Sequence, residues 1–283
     1  MDAKGANTNE SLGARAMLTA IAVSFLFIVV GLPVALVFIE ALRNGAAFYF
    51  NALVDHYALA AIKLTLLVAA IAVPVNLVFG LTASWCITKF DFRGKRVLLT
   101  LIDLPLSVSP VVSGLVFVLL FGTHSFLHPW LEANNLQILF AVPGLVIATV
   151  FVTFPFVARE LIPLMEEQGV DEEEAALMLG ANGLQIFWRV TLPNIKWGLL
   201  YGVLLCVARA IGEFGAVSVV SGHIKGKTNT IPLHVEILYN EYNFAAAFAV
   251  ASVLTLLALV TLFAKSVLER QQQRSHQLPS GGV

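Results

Sequence analysis

The sequence predicts an all-α polytopic membrane protein, a bundle of six transmembrane helices, and three observations carry that reading. Hydrophobic residues make up 58% of the 283 and charged residues only 12%, too little polar surface to cover a water-soluble globule of this length. Six apolar runs, 17–39, 64–83, 97–120, 139–157, 198–220 and 244–264, each have about the 20 residues a helix needs to cross the hydrocarbon core. The runs are continuous, whereas a β-barrel would alternate in segments of about 10 residues, and helices satisfy their backbone groups within the segment.

Residues 1–16 are polar and read as a flexible cytoplasmic tail. The first run follows basic residues, yet it is longer than a signal-peptide core and no small-residue cleavage site follows before Arg43. It reads as a retained anchor, which with its outer loop occupies 17–57. The second run contains Pro74 and leads into a short basic loop. In the third, Pro105 and Pro110 flank Leu-Ser-Val-Ser, and Ser107, Ser109 and Ser113 make this span the most polar and broken. Its hydroxyls either bond back to their own carbonyls or line a pathway for a passing anion. The fourth run carries Pro143 and Pro155, and a loop over 158–197 separates it from the fifth. After the sixth, 265–283 reads as a second flexible cytoplasmic tail.

Lys and Arg set the orientation. Lys4, Arg15, Lys89, Arg93, Lys95, Arg96, Arg159, Arg189, Lys196, Lys265, Arg270 and Arg274 fall on one side, against Arg43, Lys63, Lys225 and Lys227 on the other. Both termini and the loop before span five are therefore expected in the cytoplasm. Cys86 and Cys206 lie far from any oxidising compartment and read as packing residues. The net charge of −1 gives no sign of nucleic-acid binding.

Within that loop, 171–193 reads as helix, tight turn, helix. Asp171 with Glu174 three residues on makes a capping-box pattern, with Glu172 and Glu173 also in the first turn where the helix dipole favours acid. Gly180 supplies a left-handed stop. Asn182 with Gln185 repeats the start signal, and Pro193 marks the second helix's end. Leu177, Met178, Leu179, Ile186, Phe187 and Trp188 supply more apolar surface than a solvated loop requires. Either the hairpin packs on its own helices, or a soluble partner covers it.

Arg209, twelfth residue of the fifth run, is expected near the bilayer centre, where an ionised side chain costs about 2.5–3.5 kcal/mol. Glu213, four residues later on the same face, is placed to pair with it. The pair is either structural or also presents a positive potential to an anion. Asp103 is expected to pair with Lys95 or Arg96.

Glu174-Ala175-Ala176, three residues, Gly180, nine residues, then Val190-Thr191-Leu192-Pro193 resembles the EAA loop of permease subunits from binding-protein-dependent ABC importers. Val190 stands where that family usually has Ile. The segment Ala208 to Ala216 resembles the oxyanion branch, for sulfate and molybdate. PVNLVFG at 74–80, SPVVSGLVF at 109–117, FPFVARELIP at 154–163 and GAVSVVSG at 215–222 resemble the sulfate and thiosulfate permeases of the CysW type, so that the likeness covers 58–264.

The resemblance implies a MetI-like type I importer fold in the bacterial inner membrane, with a permease core over 58–264. Glu174, Ala175, Ala176, Gly180, Leu192 and Pro193 would form or flank a coupling helix that docks on a separate ATPase. It further implies a second permease of the CysT type, two copies of a CysA-type ATPase using ATP and Mg, and a periplasmic sulfate-binding protein. No catalytic residue and no cofactor of its own are expected for this chain. Two alternatives stay open: a molybdate or tungstate permease, and an ion-coupled secondary transporter, which would have no need of an EAA loop.

Residues 221–228, Ser-Gly-His-Ile-Lys-Gly-Lys-Thr, come within one residue of a P-loop, but Ser takes the first Gly position and the segment follows a membrane helix on the expected outer side. His56, His124, His128, His223 and His234 are scattered without metal-ligand spacing.

Overall fold

A computed structural model describes residues 12–276, so most of the first tail and the last seven residues lie outside the described residues. Among these, helices join α1 (Leu12–Leu26), α2 (Leu32–Leu42), α3 (Ala46–Val54), α4 (His56–Lys89), α5 (Lys95–Ser107), α6 (Pro110–Phe121), α7 (His128–Ala133) and α8 (Val142–Gln168). The order continues through α9 (Asp171–Met178), α10 (Gly183–Ile186), α11 (Leu192–Ile211), α12 (Gly215–Ser221), α13 (Ile231–Asn240) and α14 (Phe244–His276). Five stretches are long and apolar enough to cross a membrane, 13–42, 56–89, 142–168, 183–211 and 244–268, and the bent pair α5 and α6 makes a sixth if counted as one.

Several expected boundaries move. The run 97–120 is not one continuous helix: α5 and α6 meet at 107°. Pro110 has no N–H to continue the helix and pushes Ser109 to an extended conformation (φ −57°, ψ 133°). The run 198–220 is likewise interrupted, α11 ending at Ile211 and α12 starting at Gly215. The loop over 158–197 is mostly helix, because α8 continues to Gln168 with its polar residues outside the apolar run. Residues 265–276, expected in a flexible tail, extend α14.

Pro193 does not end a helix. A π turn at Phe187–Thr191 widens the backbone just before it, with the Leu192 N–H reaching the Phe187 carbonyl, and this absorbs the donor that proline lacks. The first span repeats the device: a π turn at Phe27–Gly31 precedes Leu32 and Pro33.

The core is built on α4 and α8, which run parallel in a fixed register. Asn76 faces Thr153, Gly80 faces Val157, and Thr88 faces Met165. On α4 these belong to a stripe, Asn76, Gly80, Ser84 and Thr88, at four-residue spacing, small enough for close approach as helix association in lipid demands. A Cβ on Gly80 would sit 2.8 Å from the Val157 Cβ. The Asn76 amide donates to the Thr153 hydroxyl at 2.7 Å and the Val150 carbonyl at 3.3 Å, and lies 3.7 Å from the Cys206 sulfur, tying α4, α8 and α11 together.

Leu64, Val68, Leu145, Val152, Val217 and Leu233 fill one half of the interior, and Val73, Val157, Leu161, Met165, Ile195 and Cys206 the other. The first span differs: most of its side chains are exposed, and α2 packs on α14.

Candidate coupling and translocation site

Two breaks in the helices meet half-way through the molecule. A Cβ on Gly215 would lie 2.8 Å from the Pro110 side chain, and one on Gly114 would lie 2.8 Å from that of Val219. Helices α6 and α12 therefore start at one level and run side by side. Ala210 and Ile211 pack in the same cluster as Ala69 and Val73, near the midpoint of α4. Arg209 therefore lies level with the middle of α4, in the last turn of a helix that stops there.

A break at this depth exposes backbone groups that lipid cannot satisfy. Glu213, only 1% exposed, resolves part of the problem. One carboxylate oxygen accepts the Ala216 N–H at 2.9 Å, holding the start of α12, and the other pairs with the Arg209 guanidinium at 2.7 Å. The Arg209 side chain remains about one-third exposed while its partner is sealed, so the break presents a basic side chain to its surroundings.

Ser107 and Ser109 are exposed at the first break, and Ser113 is buried. The Ser107 hydroxyl donates to the Asp103 carbonyl at 3.5 Å and that of Ser113 to the Ser109 carbonyl at 3.3 Å. Asp103 does not pair with Lys95 or Arg96: its carboxylate lies 3.3 Å from Arg159 of α8, because α5 packs along α8.

At the other end, Glu174 and Ala175 are exposed on α9, Ala176 and Leu192 are half-buried, and Pro193 is exposed. Asp171 does not cap α9: Val170 holds the cap position without a side-chain bond. Asn182 and Gln185 form the expected reciprocal capping box at 2.9 and 3.0 Å. Gly180 has φ +84°, closing the turn. Met178 and Leu179 are 89% and 90% exposed, and Leu177, Leu184 and Trp188 stand out beside them.

Sequence reasoning missed the contacts that hold α9 to the bundle. Lys89, on α4, pairs with Glu173 at 2.7 Å, and the Thr191 hydroxyl donates to the same carboxylate at 2.7 Å. No spacing pattern could have linked residues so far apart. The near P-loop at 221–228 turns its Thr228 inward, where the hydroxyl donates to the Ser221 carbonyl at 2.6 Å, and it follows helix α12. It has neither the strand nor the open cradle that phosphate binding requires.

Residues 76–274 match the family described as the binding-protein-dependent transport system inner membrane component. The chain belongs to that family. Among the permease's relatives, the sulfate transport system permease protein CysW of Escherichia coli strain K12 is 53% identical over 249 residues, 87% of this chain and 86% of its own. The protein of the same name from Synechocystis is 51% identical over 94% of this chain and 96% of its own. CysT of Escherichia coli strain K12 is 35% identical over 87% and 88%. Among solved structures, a bacterial alginate ABC transporter in complex with an alginate pentasaccharide-bound periplasmic protein aligns with 95% of this chain and 96% of its own. The TM-score is 0.74 at 16% identity, a likeness of fold.

Proposed function

We propose that this chain is a permease subunit of an ATP-driven importer that carries sulfate and thiosulfate into the cytoplasm. It works beside a CysT-type permease, on two copies of a CysA-type ATPase that use ATP and Mg, and receives its cargo from a periplasmic binding protein. Both termini and α9 face the cytoplasm. The cargo is supported by the sulfate permeases it resembles over most of its length.

The observation that carries the coupling role is the exposed apolar tip, Met178 and Leu179 with Leu184 and Trp188 beside them. A tip of that kind outside the membrane needs a partner to cover it. From it, the helical stretch 183–211 runs as a rod about 43 Å long, with Arg209 in its last turn. A push on the tip is therefore delivered to the cation at the mid-depth break, where an oxyanion passing between two permeases would meet it.

The test is radiolabelled sulfate uptake in a strain lacking this chain, complemented with it or with the Met178→Asp/Leu179→Asp variant, and with thiosulfate and molybdate as competitors. Expected is uptake restored by the native chain, inhibited by thiosulfate, and lost in the variant together with co-purification of the ATPase. Undiminished sulfate uptake without the chain, with molybdate uptake lost, would overturn the cargo; a variant that still binds the ATPase would overturn the docking role of the tip.

A further inference from the structure

Helix α9 buries none of its own residues. Apolar packing therefore does not hold it in place, and whatever force reaches it must leave through polar contacts. Its backbone link to α8 runs through Gly169, at φ +70°, ψ −155°, a region open to glycine alone, where an added Cβ would meet nothing within 4 Å.

The polar contacts converge on one ammonium group. The Lys89 side chain, 10% exposed, donates to the Gly169 carbonyl at 2.6 Å and pairs with Glu173, 17% exposed, at 2.7 Å. Thr191, 3% exposed, donates to the other oxygen of the same carboxylate. Around this centre, Asn194 bonds Glu172, and the Gln168 amide donates to the Asn194 carbonyl at 3.1 Å. Together they line a polar cleft of about 320 Å³.

Lys89 is the last residue of α4, where the helix dipole favours a cation, and Glu173 lies in the first turn of α9, where it favours an anion. Both side chains are mostly covered, so the pair is screened less than a fully solvated surface ion pair.

We propose that Lys89 is the positioning residue of the coupling helix. By gripping Glu173 and the Gly169 carbonyl at once, it stiffens the glycine link and makes α9, the cytoplasmic end of α4 and the foot of α11 move as one body. Without the grip, α9 still docks, but it swings about Gly169 and the spans lag behind.

This inference rests on the coupling role proposed above, and the experiment separates the two. The complete complex, with both permeases and the ATPase, is reconstituted in proteoliposomes. ATP hydrolysis is measured with and without sulfate-loaded binding protein, alongside sulfate uptake and co-purification. For Lys89→Met, assembly and unstimulated hydrolysis are expected to persist while stimulation and uptake fall about 2- to 30-fold. Lys89→Glu should fall at least as far, and the exchange Lys89→Glu with Glu173→Lys should recover most of the loss.

Full stimulation in Lys89→Met, with the native complex stimulated, overturns the positioning role alone. Loss of assembly in Lys89→Met that the exchange fails to restore also overturns it, because the clasp would then be a folding element. A native complex with no stimulation overturns the coupling role and this inference together.

Discussion

Two ion pairs with the same 2.7 Å separation, Lys89–Glu173 and Arg209–Glu213, perform opposite tasks. The first joins elements far apart in the sequence and ties down a helix that buries nothing. The second joins residues four apart and closes a gap in one continuous run of chain, with its carboxylate sealed inside. The glycines beside them differ in the same way. Gly169 and Gly180 have open space around them and serve backbone shape, whereas Gly114 and Gly215 press against neighbouring side chains. In the role proposed above the pair that bridges elements transmits movement, while the one at the break fixes structure.

Arg209→Ala should break the second arrangement with the largest effect. It leaves the Glu213 charge buried without a counter-ion, which costs about 3–5 kcal/mol, read as a fall in the unfolding midpoint of the purified complex. A variant with unchanged thermal unfolding would mean that the pair is not needed to hold the break. Gly114→Ala comes next. Its new Cβ would approach Val219 to 2.8 Å and the Ala216 carbonyl to 2.9 Å, so overpacking of α6 on α12 should cost about 1–3 kcal/mol on the same measurement.

Gly180→Ala should affect the fold least. No neighbour obstructs the methyl group, and the cost is the left-handed backbone alone, about 1–2 kcal/mol. The exposed turn can relax out of that conformation while free and must regain it on docking, so affinity for the ATPase should drop about 5- to 30-fold while the unfolding midpoint stays put. A shift in the midpoint with full affinity would erase the contrast between the two regions.

The apolar runs made most of the spans legible, because continuous hydropathy reports burial in lipid directly. The breaks were less legible, for the same reason. The run 198–220 is apolar on both sides of the gap between α11 and α12, and hydropathy does not register where hydrogen bonding stops. The signal present was Glu213 between Gly212 and Gly215, and it pointed to an ion pair before it pointed to a chain break. The end of α8 was misplaced because Arg159, Glu160, Glu166 and Glu167 lower the hydropathy while the helix continues. In the loop, Gly180 and the Asn182 cap were readable because their partners are local. Lys89 was not, and neither was the pairing of Asp103 with Arg159, because both depend on which helices come to lie together.

The π turn at Phe187–Thr191 has a consequence for how this chain can change. It accommodates one residue more than an α-turn, and each added residue rotates everything upstream by about 100° around the helix axis. The direction in which Leu184 faces is therefore set by residue count rather than residue type. Substitutions within the turn leave that angular phase intact, whereas deleting a single residue would turn the docking face aside with every side chain still present. For this segment, length is a stricter constraint than composition.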